Sequence, residues 1–382
     1  MRGRSVNRAA SLLYMAIASL KPIELFFRRT FLRILQWIGG NRQPSANPPS
    51  IPDSPSILIL RQDRLGDVLM STFLLAALKM RYPSSRIAIL LGKNNIQAKP
   101  LLPFDCETYL YQKNVVTDLG MLRKIRREKF DVAIDMTDKA SVTSSLLLAL
   151  AKAKINVGIE KENAIVYDIT VPRPSQTEVH ITDRVAELLR PFGIDPNSVD
   201  KSPKLKLISS RRAGRIGLNV SSRTTDRSAP ARASAEIAKG ILDLGFQEII
   251  VFCAPHDRER GEQTVKLAKD NRVWLAEPVK QFVEFAEQIA SCEYLVTADT
   301  SVIQIAAAVK IPMVLMFKPM FDEHPWTPVG VPFEIHTQYP SLDALEPQPV
   351  LHLFSRLLSR TAQSRQSIEM PQPVSNYAPT TL

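Results

Sequence analysis

The stretch ILILRQDRLGDVLMS, residues 57–71, sets the frame for the whole chain. Ile57 to Leu60 run without a polar break, as a strand buried on both faces requires. Arg61-Gln62-Asp63-Arg64 interrupts the run, and Gly66-Asp67 opens a helical pattern that ends at Arg81, before Pro83. The order of strand, polar joint and helix then recurs. Strands are expected at Ile57–Leu60, Ile87–Leu91, Val132–Asp135 and near Val157. Helices are expected over Asp67–Arg81, Leu119–Lys129, Ser141–Lys152 and Ile181–Arg190. A second series begins with strands at Arg215–Asn219, Glu248–Cys253, Val273–Leu275, Tyr294–Val296 and Met313–Phe317. Its helices fall at Ala233–Leu244, after Pro255, over 279–290 and over Val302–Val309. Apolar strands alternating with helices predict parallel sheets covered on both faces. Two such halves, joined by a Pro- and Ser-containing stretch near 195–210, predict an α/β chain of two facing Rossmann-like domains.

Bulk composition narrows the class. The chain has 382 residues, 45% apolar and 23% charged, and carries a net charge of +11. Residues 1–50 hold eight Lys/Arg against the single acid Glu24, so most of the excess belongs to that segment. A folded face that tracked nucleic acid would spread its charge differently, so nucleic acid is not an expected partner. Cys106, Cys253 and Cys292 are far apart and show no ligand spacing, which fits a reducing compartment and neither a disulfide framework nor a zinc site. The five His residues show no metal spacing either, so no metal or cofactor is expected.

The N-terminal segment has its own logic. Its longest uncharged run, residues 9–20, is too short to span a bilayer. From Ile23 to Ile38, Phe26, Phe27, Phe31 and Trp37 alternate in clusters with Arg28, Arg29 and Arg33. A basic amphipathic helix of this kind suits an anionic membrane surface. A signal peptide, or a helix packed on the protein's own body or a partner, are the competing readings. Residues 41–55, rich in Pro, Ser and Asn, read as a linker. The stretch after Ala362 reads as a disordered tail.

In open parallel sheets, ligands sit outside the carboxyl ends of strands. The joints at those ends are therefore the candidate site. At the first, no GxGxxG occurs, so the dinucleotide fingerprint is absent. Gly66 permits a tight turn, and Asp67 is either a helix-start acid or a base that takes a proton from a hydroxyl. At the joint opening the second half, Asn219, Ser221, Ser222, Arg223 and Arg227 offer hydroxyls and two guanidiniums to a diphosphate, or form a solvated loop. The stretch ADTSVIQIAAAVKIP, residues 298–312, places Asp299-Thr300-Ser301 before a helix, where they serve as a cap, a ligand site or both.

Taken in order, several blocks resemble glycosyltransferase family 9, the heptosyltransferase-like enzymes of lipopolysaccharide assembly. These are ILILRQDRLGDVLMSTFLLAALKMRYP, FDVAIDM, IGLNVSSR, ADTSVIQIAAAVKIPMVLMFKP and HPWTPVG, spread from Ile57 to Gly330. The resemblance implies a GT-B fold, with an acceptor domain over 56–200, a donor domain over 210–340 and a helix over 341–362. It implies a nucleotide-sugar donor, ADP-linked, and a lipid-linked saccharide acceptor. Transfer would be inverting and metal-independent, at the inner face of the cytoplasmic membrane, with residues 1–40 on the lipid. Asp67 would be the base. Arg223 or Arg227 would neutralise the leaving diphosphate, Thr300 and Ser301 would donate to it, and Arg61 and Arg64 would meet acceptor phosphates. The family's Asp-Thr-Gly-x-x-His reads here Asp299-Thr300-Ser301-Val302-Ile303-Gln304. Ser301 adds a side chain where Gly allows close approach, and Gln304 lacks the charge a histidine can carry. These departures keep a second expectation in view, a non-catalytic, glycosyltransferase-derived sugar-binding or scaffold protein.

Overall fold

The computed structural model describes residues 49–318, 326–338 and 340–369, with positions 30, 42 and 44 before them. The chain divides into two compact units, Met1–Lys201 and Ser202–Leu382. The basic amphipathic segment expected over 1–40 lies outside the described residues except for Thr30.

The first unit is built on six parallel strands: β1 (Ile57–Arg61), β2 (Ile87–Gly92), β3 (Glu107–Tyr111), β4 (Val132–Asp135), β5 (Ile155–Ile159) and β6 (Ile169–Val171). Their order is β3-β2-β1-β4-β5-β6, and every neighbouring pair is parallel. The helices are α1 (Leu65–Met70), α2 (Thr72–Arg81), α3 (Val115–Glu128), α4 (Val142–Ala151) and α5 (Ile181–Ala186). Every residue of β1 and β2 is buried, as their unbroken apolar runs demand. Leu58, Leu60, Ala88 and Leu90 from these strands pack with Leu122 and Ile125 of α3 and Leu147 and Leu148 of α4 in one core.

The second unit repeats the plan. Its strands are β7 (Arg215–Asn219), β8 (Glu248–Phe252), β9 (Val273–Leu275), β10 (Tyr294–Ala298), β11 (Met313–Phe317) and β12 (Phe333–Thr337). The order is β12-β11-β10-β7-β8-β9, again all parallel. Its helices are α6 (Ala231–Asp243), α7 (Arg258–Ala268), α8 (Phe282–Ala290), α9 (Val302–Ala308) and α10 (Pro347–Glu369). In both sheets three strands are laid down in one direction and the next three on the other side of the first. The order therefore reverses between β1 and β4, and between β7 and β10. Such a reversal opens a crevice at the carboxyl edge of a parallel sheet.

Several elements differ from expectation. The helix expected as one piece over Asp67–Arg81 starts at Leu65 and breaks at Ser71. Ser71 Oγ donates to Val68 O at 3.0 Å and Thr72 Oγ1 to Leu69 O at 2.7 Å, bonds that compete with the helical ladder. Gly66 is helical and makes no tight turn. The helix expected over Ile181–Arg190 gives way after Ala186 to a 3₁₀ turn, Glu187–Phe192, that contains Pro191. Strands β3, β6 and β12 were not anticipated. All three are sheet edges with short or mixed sequences, ETYLY, ITV and FEIHT, and so lack the apolar continuity that marks a central strand. At the C-terminus, α10 continues to Glu369, into the stretch expected as a tail. Within the expected linker, Arg42 docks on the first unit: it pairs with Asp168 and donates to Ala153 O at 2.6 Å.

Candidate functional site

In the first unit the reversal point lies between Leu60 of β1 and Asp135 of β4, which face each other in register. Asp67, the third residue of α1, is held there. Its Oδ2 accepts the Arg64 N–H at 3.0 Å, so the carboxylate caps its own helix. Its Oδ1 lies 3.9 Å from Arg61 Nη2. Asp67 is only 6% exposed. Burial pushes its carboxyl up to about 6; the Arg61 guanidinium pulls the other way, and Asp63 adds to the rise. A carboxylate in that range can take a proton near neutral pH while still being mostly ionised.

Arg61 departs from its expected role. It is 2% exposed, and its donors are committed to the protein: Nη1 to Met136 O at 2.6 Å and to Asp63 Oδ2 at 3.0 Å, Nε to Asp67 O at 3.2 Å. A guanidinium fixed in this way orients Asp67 rather than reaching an acceptor phosphate. Arg64, by contrast, is exposed.

Beside it lies a charged cluster that sequence reasoning missed. Asp135, at the end of β4, is fully buried. Its Oδ2 accepts Tyr167 Oη at 2.6 Å and Lys161 Nζ at 3.2 Å; its Oδ1 accepts Thr137 N at 3.0 Å and Thr137 Oγ1 at 2.7 Å. Burial opposes its charge, but Lys161 and these hydrogen bonds outweigh burial and hold the carboxyl below its ordinary range. Lys161 Nζ also donates to Thr137 O and, at 3.1 Å, to Thr137 Oγ1. The cluster fixes the loop after β4, whose Met136 carbonyl in turn holds Arg61. Gly158 makes room for it: a Cβ there would sit 2.5 Å from the Tyr167 ring. The available signal was the acid that closes the apolar strand VAID at the same edge as Asp67.

In the second unit, Asn219 ends β7 beside Thr297 of β10, its register partner. Asn219 Nδ2 donates to Thr297 Oγ1 at 2.9 Å, Ser221 O at 3.2 Å and Thr300 Oγ1 at 3.3 Å. Ser221 Oγ accepts Ala254 N at 2.6 Å, tying the end of β8 to the same place. Ser222 Oγ donates to Asp299 O at 2.9 Å. Asp299 pairs with Arg227, and so offsets its own repulsion of an anion while tying down one of the two expected cations. Thr300 Oγ1 accepts Val302 N at 3.2 Å, which makes it the capping side chain of the triplet. Ser301 is already in helical conformation and caps nothing with its side chain. Gln304, in α9, is 6% exposed. Arg223 stays exposed and carries none of these bonds. Asn219, Ser221, Ser222, Arg227, Asp299 and Thr300 thus gather at the reversal point through these bonds, with Ser301 and Gln304 following at the start of α9 and Arg223 outside the network.

Among the described residues, no group of three or more His, Cys, Asp and Glu is placed to share a metal ion. No described helix is long and apolar enough to cross a membrane.

Known proteins match this chain in sequence and in fold. The sequence profile of glycosyltransferase family 9 (heptosyltransferase) matches residues 119–335, more than half of the chain. A Haemophilus influenzae protein, named only provisionally as a glycosyltransferase, is 21% identical over 302 residues, 72% of this chain and 86% of its own length. The ADP-heptose lps heptosyltransferase II of E. coli superposes with a TM-score of 0.65 at 18% identity, covering 80% of this chain and 99% of that one. The E. coli heptosyltransferase WaaC, in a structure with ADP, gives 0.67 at 14% identity, covering 79% and 99%. The likeness to these structures identifies the two six-stranded units as a GT-B fold. With a profile match that runs across parts of both units, the chain belongs to glycosyltransferase family 9, the heptosyltransferase family.

Proposed function

We propose that the protein transfers a heptose or a related sugar from an ADP-linked donor to a saccharide hydroxyl carried on a lipid, in lipopolysaccharide or surface-polysaccharide assembly. The observation that carries this reading is Asp67: a buried carboxylate with its pKa raised to about 6, at the strand-order reversal of the first unit. In the proposed step the acceptor hydroxyl gives its proton to Asp67 as its oxygen attacks the anomeric carbon. The bond from that carbon to the diphosphate breaks, and the sugar inverts. Arg223 and the hydroxyls of Thr300 and Ser301 take up the charge on the diphosphate, while Asn219 holds Thr300 in place. The Arg227–Asp299 pair opens toward the donor or orients the loop; in either case its net charge is near zero. Gln304 replaces the charge of a histidine with an amide. The step needs no metal. Acceptor chemistry belongs to the first unit, through Asp67 and Arg64, and donor chemistry to the second. ADP in the WaaC structure and heptosyl transfer to lps in the E. coli relative support the choice of donor and of a lipid-linked acceptor. A lipid-linked acceptor fits a protein at the inner face of the cytoplasmic membrane, with its N-terminal 40 residues on the surface.

The deciding experiment pairs binding with turnover. ADP at about 100 times its dissociation constant is expected to stabilise the full chain by about 2.7 kcal/mol, an effect that Thr300→Val and Arg223→Ala diminish. Asp67→Asn is expected to keep this stabilisation and to lower transfer about 100-fold or more. No response to ADP, with a response to UDP or GDP, would replace the donor; turnover unchanged by Asp67→Asn would remove the base.

A further inference from the structure

The first turns of α3 and α4 leave large apolar side chains in solvent. Val115 is 76% exposed, Val116 80%, Leu119 44% and Val142 41%. Folding gives no reason for them. The Asn114 side chain already caps α3 by accepting Val116 N and Thr117 N, and β-branched residues are weak helix formers. Topology puts them together. In a parallel sheet each crossover helix begins at the carboxyl edge of the strands, and α3 follows β3 as α4 follows β4. The two helices also pack against each other. The exposed side chains therefore stand at the same edge of the sheet as Asp67.

The side-chain charge left unpaired on the exposed face beside them is basic. Arg123, Arg126 and Arg127 continue the exposed face of α3, at helical spacing from Val116 and Leu119. Lys113 lies just before its start. None of these four pairs with a carboxylate among the described residues. The acids nearby are occupied: both oxygens of Asp118 accept backbone amides, from Gln112 and Asn114 at 2.9 Å, and Glu128 pairs with Arg86. Gly120, on the same face, has nothing within 4 Å of its Cβ position, so the face is open there.

An apolar tip backed by unneutralised guanidiniums complements a surface that is apolar just below a layer of phosphates. We infer that this face of α3 and α4 docks the first unit on an anionic lipid bilayer, with the carboxyl edge of its sheet toward the headgroups. The inference rests on the proposed lipid-linked acceptor: docking in this orientation brings that acceptor to the edge that carries Asp67.

The test uses the full chain, with its N-terminal segment in place. Sedimentation is measured with vesicles of phosphatidylethanolamine and phosphatidylglycerol, and with phosphatidylcholine alone. Val115→Ser together with Val116→Ser is expected to weaken binding to the anionic vesicles about tenfold or more. Arg123→Gln with Arg127→Gln is expected to weaken it by a similar factor, and less at high salt. Both positions are exposed, so melting temperatures should not move. Val116→Trp supplies a local readout: beyond the signal of the unsubstituted chain, the introduced indole should shift to the blue on anionic vesicles and be quenched by brominated acyl chains. Binding unchanged in both double variants, or an indole that neither shifts nor is quenched, overturns the inference. So does a change of oligomeric state with vesicle binding intact, which would assign the face to a second copy. ADP stabilisation and transfer to a detergent-solubilised acceptor should be the same in these variants as in the parent. Their loss in the parent itself would sink the proposed function and leave the docking result standing.

Discussion

Asp67 illustrates how one side chain holds the fold with one oxygen and leaves the other for the proposed proton transfer. Oδ2 caps α1, and Oδ1 faces Arg61, so the helix start aims the carboxylate. The site is costly to maintain. The folded pKa of about 6 stands above the unfolded 3.8, so the folded state holds this proton more tightly. Its contribution to stability is full below pH 3.8 and lost as the pH rises through about 6, up to about 3 kcal/mol by pH 8. Asp67→Asn removes that charge and keeps an acceptor for Arg64. It is expected to melt higher than the parent at pH 8 and alike near pH 4, as thermal unfolding at the two pH values will check. Arg61 acts in the opposite sense, since it holds the pKa of Asp67 down. Arg61→Met should therefore move the acidic limb of the pH dependence of kcat/KM to higher pH; a limb that stays in place or falls would separate Arg61 from the ionisation of Asp67. Asp67 was legible in the sequence because it follows an unmistakable strand. The inward turn of Arg61 was not, because its partner Met136 is 75 positions away.

The elements divide between those the sequence announces and those it hides. Central strands such as β1, β4, β7 and β10 are buried at every position, and site residues stand at or just beyond their carboxyl ends. That coincidence put Asn219 and Thr300 among the candidate residues, at two separate joints; their contact is visible only in the structure. The edge strands β3, β6 and β12 carry no such signal, since solvent on one side relaxes the demand for apolar residues. The Asp135–Lys161–Tyr167 cluster was hidden for a different reason. It is joined through a missing side chain, Gly158 of β5, and an absence has no pattern. Gly158→Ala places a methyl group 2.5 Å from the Tyr167 ring. It is expected to destabilise the protein by about 1–3 kcal/mol in a denaturant titration, through the displaced ring and a weakened bond to Asp135. If stability holds, the ring moves freely and the cluster is less fixed than its burial implies.

At the scale of the whole molecule, one strand order is used twice, and each copy gathers different side chains at its reversal point. The first unit gathers a buried carboxylate, Asp67, there, and the second hydroxyls, amides and the exposed guanidinium of Arg223. Each unit also closes a core of its own, so each can open and reclose by its own equilibrium. The proposed donor contacts, from Asn219 to Gln304, all belong to the second unit. A ligand that binds only the closed form of that unit stabilises it by RT ln(1 + [L]/Kd), or about 2.7 kcal/mol at 100 times Kd. Amides of β7 and β10 that exchange through opening of the second unit should then slow about 100-fold with ADP. Amides of β1 and β4, which exchange through opening of the first, should keep their rates. Hydrogen exchange followed by mass spectrometry resolves the two sheets in one experiment. Equal slowing in both sheets would mean that the units open together. Slowing confined to β1 and β4 would move the donor to the first unit and reverse the assignment of roles.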